Sequence, residues 1–130
     1  MQVATRMTRN PVTVQPGDSL ELADARMKAG NFRRVPVLDE GKLVGILSQY
    51  DLNNYRDCLG SILVKTVMTP HPVTVSSSAT LEHAASSLSK HKIGALPVVD
   101  EGRLVGVITA SDLWLPEPRP LPEWIPRRRH

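Results

Sequence analysis

Gly45-Ile46-Leu47-Ser48-Gln49-Tyr50-Asp51 returns later in the chain as Gly106-Val107-Ile108-Thr109-Ala110-Ser111-Asp112. Each copy reads as a glycine, an apolar strand end, a hydroxyl residue, two residues of any kind and an aspartate. A hydroxyl and a carboxylate therefore stand together where a strand hands over to a helix. Such a pair closes a capping box, with Ser48 or Thr109 as N-cap and the acid reaching back to its amide. The same pair can accept hydrogen bonds from a sugar diol and offer a hydroxyl to a phosphate. The two uses are compatible, because a ligand can recruit a cap.

The repeat extends well beyond this stretch. Met7-Thr8-Arg9-Asn10-Pro11-Val12-Thr13-Val14 matches Met68-Thr69-Pro70-His71-Pro72-Val73-Thr74-Val75 at an offset of 61. The same offset carries Val35-Pro36-Val37 onto Leu96-Pro97-Val98. Without a gap, residues 7–52 align with 68–113, and 19 of the 46 positions are identical. Chance would match only a few, so the chain is an internal duplication. Val3 and Thr5 match Val64 and Thr66, which brings the lead-in into the repeat. Gly60 and Ser61 mark the join. The organisation is repeat one over 1–60, repeat two over 61–115 and a tail over 116–130.

Each copy has one local grammar. Val12-Thr13-Val14 is a short β-branched run and predicts a strand. Pro16, Gly17 and Asp18 break it, and Asp18 or Ser19 caps a helix. Leu20, Ala23 and Met27 then fall on one helical face, as do Leu81, Ala84 and Leu88. Gly30 suits the left-handed residue that ends the first helix; copy two has His91 there. Arg34-Val35-Pro36-Val37-Leu38 predicts a strand whose proline belongs at an edge. Asp39-Glu40-Gly41-Lys42 reads as a tight hairpin turn. Gly45 in the middle of the return strand implies a bulge or a close approach to its backbone. A second helix is expected from Ser48 to about Cys58. The unit is strand-helix-strand-strand-helix.

Length and composition bound the rest. A chain of 130 residues, 41% hydrophobic and 22% charged, fits one compact domain or two halves sharing a core. No apolar run is long enough to span a bilayer and no signal peptide is visible, so a cytoplasmic, non-membrane protein is expected. Lone Cys58 cannot form an internal disulfide and suits a reducing compartment. The net charge of +3 owes much to the tail, where Arg119, Arg127, Arg128 and Arg129 face Glu117 and Glu123. Five prolines predict an extended or disordered tail, and Leu121, Trp124 and Ile125 could pin it to a hydrophobic surface. His71, His83, His91 and His130 are scattered, so no metal site is expected. There is no nucleophile elbow and no Gly-rich phosphate loop with its lysine, so nothing argues for an enzyme.

Taken together, twice and at one spacing, Met-Thr-x-x-Pro-Val, Val/Leu-Pro-Val-x-Asp and Gly-x-x-Ser/Thr-x-x-Asp resemble a tandem pair of CBS domains, the module named after cystathionine β-synthase. The resemblance covers roughly residues 1–115. It implies an α+β fold of two β-α-β-β-α repeats packed side by side with pseudo-twofold symmetry. It also implies two clefts between the repeats for adenosine-containing ligands: AMP, ADP, ATP, S-adenosylmethionine or dinucleotides. The function implied is a regulatory sensor that signals through a homodimer or a regulated partner protein. In the first cleft, the resemblance assigns ribose to Asp51, phosphate to Ser48, Arg33 and Arg34, and adenine to Ile46, Thr69, Val73 and Ile93. In the second, Asp112 and Thr109 keep the polar positions, and Val107, Thr8, Val12 and Phe32 form the apolar walls. Gly94 and Ala95 there replace the two arginines, leaving His91 or Lys92 as distant substitutes. Two other readings stay open: a ligand-free interaction module, and a nucleic-acid binder working through the arginine tail.

Overall fold

The computed structural model describes residues 1–114; the Pro/Arg-rich tail and its expected extended conformation lie outside the described residues. In chain order the elements are β1 (Thr8–Arg9), α1 (Leu20–Gly30), β2 (Arg34–Asp39), β3 (Lys42–Ser48), α2 (Val64–Val67), β4 (Thr69–Pro70), α3 (Leu81–His91), β5 (Ala95–Asp100), β6 (Arg103–Thr109) and α4 (Ala110–Leu113). They form two three-stranded antiparallel sheets, ordered β1-β6-β5 and β2-β3-β4. Each sheet thus takes its third strand from the other half of the chain. The α+β architecture of two repeats follows the expectation.

The exchange reaches into the cores. One core gathers Val14, Leu20, Ala23, Met27, Val35, Val37, Leu47 and Leu52 around Val64, which comes from the second lead-in. The other gathers Val75, Ala84, Leu88, Leu96, Val98 and Ile108 around Val3 and Met7, which come from the first. Backbone bonds fix both crossings: Val3 N–H donates to Ala79 at 2.8 Å, and Val64 N–H donates to Asp18 at 2.8 Å. The Leu20, Ala23 and Met27 stripe is fully buried, as its helical spacing requires.

The repeat offset also appears in the backbone. The non-glycine residues at positive φ pair off as Asn10 with His71, Asn31 with Lys92, and Glu40 with Glu101. Glu40 (φ 50°) and Gly41 (φ 82°) together make the twisted two-residue hairpin turn. Pro36 and Pro97 lie in β2 and β5, both edge strands, where a missing donor costs least.

Four local readings change. Val12-Thr13-Val14 is no strand; it makes a single parallel bridge, Val14 to Val37. Pro36 has no N–H to extend that ladder, though its carbonyl accepts from Val14 N–H at 3.1 Å. The left-handed cap is Asn31 (φ 58°), one residue beyond Gly30; Gly30 instead makes room for the Phe32 ring, which lies where a side chain on it would be. Copy two ends its helix the same way on Lys92 (φ 54°). Lastly, the expected helix from Ser48 is only 3-10 turns, Tyr50–Tyr55 and Leu59–Ser61. Asp51, Asn53, Asn54 and Asp57 are poor helix formers whose side chains compete for backbone groups.

Candidate functional site

The hydroxyl–carboxylate pair sits where β3 ends. Ser48 N–H donates to Asp51 Oδ2 at 2.8 Å, and Asp51 N–H donates to Ser48 Oγ at 3.2 Å. The capping box is therefore closed, and Asp51 Oδ1 makes no hydrogen bond among the described residues. The second copy is tighter. Asp112 Oδ2 accepts from Thr109 N–H at 2.8 Å and from Thr109 Oγ1 at 3.0 Å, and the residue is only 6% exposed.

A cleft of about 370 Å³ opens beside the first pair. Ser48, Asp51, Arg34 and Ile46 form one wall; Thr69, Val73 and Ile93 come from the other half of the chain. All seven were expected from the sequence. The register explains the meeting, since β3 pairs with the exchanged β4 and sets Thr69 opposite Ile46. Gly45 permits it: a Cβ there would lie 2.5 Å from Met68 Sδ and 3.0 Å from the Thr69 carbonyl oxygen. The close approach inferred for this glycine is the docking of β4. A bulge follows at Val44, where the β2–β3 register shifts.

Arg33 is the expected residue that does not line this cleft. It is exposed, and its carbonyl accepts from Gln49 N–H at 2.8 Å. By the repeat offset it stands where Gly94 stands, and Gly94 lines the first cleft from the opposite half. Arg33 therefore occupies, in its own repeat, the position that Gly94 occupies in the other. Gly94 and Ala95 also change meaning. They are the floor of the first cleft, and a Cβ on Gly94 would overlap the Arg34 guanidinium.

Among the lining residues that the sequence did not assign to this cleft are His71 and Lys92. Both have positive φ, 50° and 54°. In a non-glycine residue this costs about 1–2 kcal/mol relative to right-handed backbone. The signal available in sequence was slight: His71 and Lys92 replace Asn10 and Asn31 at turn positions where asparagine tolerates that conformation best. Arg34 and Lys92 give the cleft two basic side chains, one from each half of the chain.

The second set of expected residues is in part brought together. Thr8 pairs directly with Val107, and Thr109 caps with Asp112. Val12 packs against the first core, and Phe32 lies over Gly30. Arg6, 7% exposed, sends Nη1 to the carbonyl of Asp112 at 3.4 Å. Among the described residues no group of three His, Cys, Asp or Glu is placed to hold a metal ion. No helix there is long and apolar enough to cross a membrane.

The CBS-domain family model matches residues 2–57 and 64–113, nearly all of the described chain. The chain belongs to the CBS-domain family. As a CBS pair it is similar to the CBS domain-containing protein YhcV of Bacillus subtilis, 33% identical over 85% of this chain and 81% of that protein. It also resembles the inosine-5'-monophosphate dehydrogenase of Korarchaeum cryptofilum, 40% identical over 86% of this chain but only 23% of the enzyme. The CBS pair thus spans less than a quarter of that relative. Among solved CBS pairs, AcuB of Vibrio cholerae superposes with a TM-score of 0.77 at 38% identity, covering 86% of both chains. CBSX2 in complex with AMP gives 0.74 at 33% identity, over 86% of this chain and 92% of that one. The CBS pair of MJ0100, in complex with 5'-methylthioadenosine and S-adenosyl-L-methionine, gives 0.80 at 28% identity, over 87% and 96%.

Proposed function

We propose that the chain is a regulatory module that binds an adenine nucleotide in the first cleft and performs no chemistry on it. The observation that carries this reading is the convergence, across the two halves, of a capped carboxylate with a free oxygen and the basic side chains of Arg34 and Lys92 on one cleft. Asp51 Oδ1 accepts from the ribose hydroxyls while Oδ2 keeps the cap. Ile46, Val73 and Ile93 hold the adenine. Arg34 and Lys92 meet the phosphates, Arg34 through its fork and Lys92 as a point charge. Two cations favour ATP and ADP over AMP and S-adenosylmethionine. The adenosyl ligands of CBSX2 and MJ0100 support the class of ligand.

For the second cleft a structural role is favoured by one observation: Asp112 is buried and its Oδ2 is engaged twice by Thr109. Signalling then runs from one occupied cleft to a homodimer partner or a regulated protein in the cytoplasm. The test is a melting series with AMP, ADP, ATP and S-adenosylmethionine. A ligand at a hundredfold excess over its Kd adds about 2.7 kcal/mol to the folded state. A raised Tm with ATP or ADP, lost in Asp51→Ala, is expected. No shift with any of the four refutes the reading.

A further inference from the structure

Between the hydroxyl and the carboxylate of the first cap stand Gln49 and Tyr50. Tyr50 is 82% exposed, whereas every polar group of Gln49 is engaged. Its N–H donates to the Arg33 carbonyl at 2.8 Å, and its carbonyl accepts from Leu52 N–H at 3.1 Å. In the side chain, Nε2 donates to Asp24 Oδ1 at 3.1 Å and Oε1 accepts from Arg56 Nη2 at 2.8 Å. Arg56 Nη1 also donates to Asp24 Oδ1, at 3.0 Å, which closes a ring of three side chains. The ring joins α1, the cap turn and the residue that ends the Tyr50–Tyr55 segment. Asp24 is only 8% exposed, and a carboxylate so buried holds its partners firmly, because losing one leaves it unsatisfied.

The second copy has no such ring, since Asp24 and Gln49 are replaced there by Ala85 and Ala110. Ala110 keeps only the backbone bond, from its N–H to the Gly94 carbonyl at 3.2 Å. The two caps then settle differently. Thr109 Oγ1 donates to Asp112 Oδ2 at 3.0 Å, so the second pair spends its hydroxyl on its own carboxylate. Ser48 Oγ instead accepts from Asp51 N–H, and its O–H meets no acceptor among the described residues. Asp51 stays half-buried where Asp112 is buried, and Ser48 and Asp51 both line the first cleft. Gln49 does not line it.

Resting on the nucleotide reading of the first cleft, we propose that Gln49 is a positioning residue: the Asp24–Gln49–Arg56 ring holds the Ser48–Asp51 turn from the side of α1, so that the Ser48 hydroxyl and Asp51 Oδ1 stay presented to the ligand. Gln49 acts through the turn and not by touching the nucleotide. Polar groups are kept in a productive geometry when the residues behind them are locked by hydrogen bonds of their own, and a linked set of such bonds is stiffer than its members taken singly. Where the ring is missing, the second pair closes on itself.

The test is made on the full chain, with calorimetric titration by ATP and amide hydrogen exchange without ligand. Gln49→Met keeps the length of the side chain and removes both of its polar ends. It should weaken ATP by about tenfold and make the Ser48 amide exchange several-fold faster. Gln49→Glu sets a like charge against Asp24 and should also weaken ATP. Adding Asp24→Asn exchanges amide and carboxylate in place, and this pair should restore the affinity. Circular dichroism checks that each variant is folded at the titration temperature. Unchanged ATP affinity in Gln49→Met overturns the proposal and leaves the nucleotide reading standing. Weaker binding without faster Ser48 exchange overturns it too, as does an exchanged pair that stays weak. A wild-type chain that binds no adenine nucleotide overturns both.

Discussion

A methyl group on Gly106 would meet Met7 Sδ and the Thr8 carbonyl oxygen, each at 2.7 Å. The carbonyl belongs to the strand that crosses from the other half, so it cannot move without loosening the exchange. Gly106→Ala is expected to cost about 1–3 kcal/mol in urea denaturation, whereas Gly17→Ala, with open space around it, should be close to neutral. At Gly94 the obstacle is the mobile end of Arg34. Gly94→Ala should therefore leave the melting temperature nearly unchanged and weaken nucleotide binding, read by calorimetry. The close approach at Gly45 was legible in sequence, because a glycine weakens a strand and belongs there chiefly where the chain bulges or another backbone comes near. Ser48, Asp51 and Thr69 were legible as parts of a motif that occurs twice at one spacing. Arg33 was not. Neighbouring arginines at a strand start point to opposite faces, and only the pairing of the halves decides which face meets the first cleft.

Among the elements, the helices' buried stripes and the hairpins were legible because their periods and turn residues are local. The 3-10 turns after Ser48 and the single bridge at Val14 were not, since each depends on competition between local side chains and a partner strand. The Asp24 network holds the end of this turn region against α1. Burial raises the Asp24 carboxyl, but hydrogen bonds from Lys28, Arg56 and Gln49 outweigh it and hold the group below its ordinary range. A depressed folded pKa means that the stabilisation is present above the unfolded value and is lost as pH falls through the folded one. Asp24→Asn should thus lower Tm at pH 7, and the gap from wild type should narrow below about pH 4. A gap that stays constant down to pH 2 contradicts the ionic account. The Lys28 side chain is 66% exposed, and such helix pairs contribute only about 0.3–0.5 kcal/mol to stability.

For the whole molecule, the repeat boundary and the packing boundary differ. Val3 and Met7 complete the second core and Val64 completes the first, so neither half carries its own full set. A chain cut between Gly60 and Ser61 should give two fragments that are each largely unfolded by circular dichroism and that recover the native signal when mixed. The offset of 61 revealed two copies; it could not reveal that their first segments trade places, because exchange preserves every local pattern. The same exchange builds the cleft, placing Thr69, Val73, Lys92 and Ile93 against Ser48 and Asp51. It also brings Arg34 and Lys92, one from each half, to this cleft. The most direct measurement of that claim is a calorimetric titration of the full chain with ATP, repeated on Asp51→Ala and Asp112→Ala. One nucleotide per chain is predicted, lost in Asp51→Ala and retained in Asp112→Ala. Two equal sites per chain, or binding that Asp51→Ala leaves intact, would contradict it.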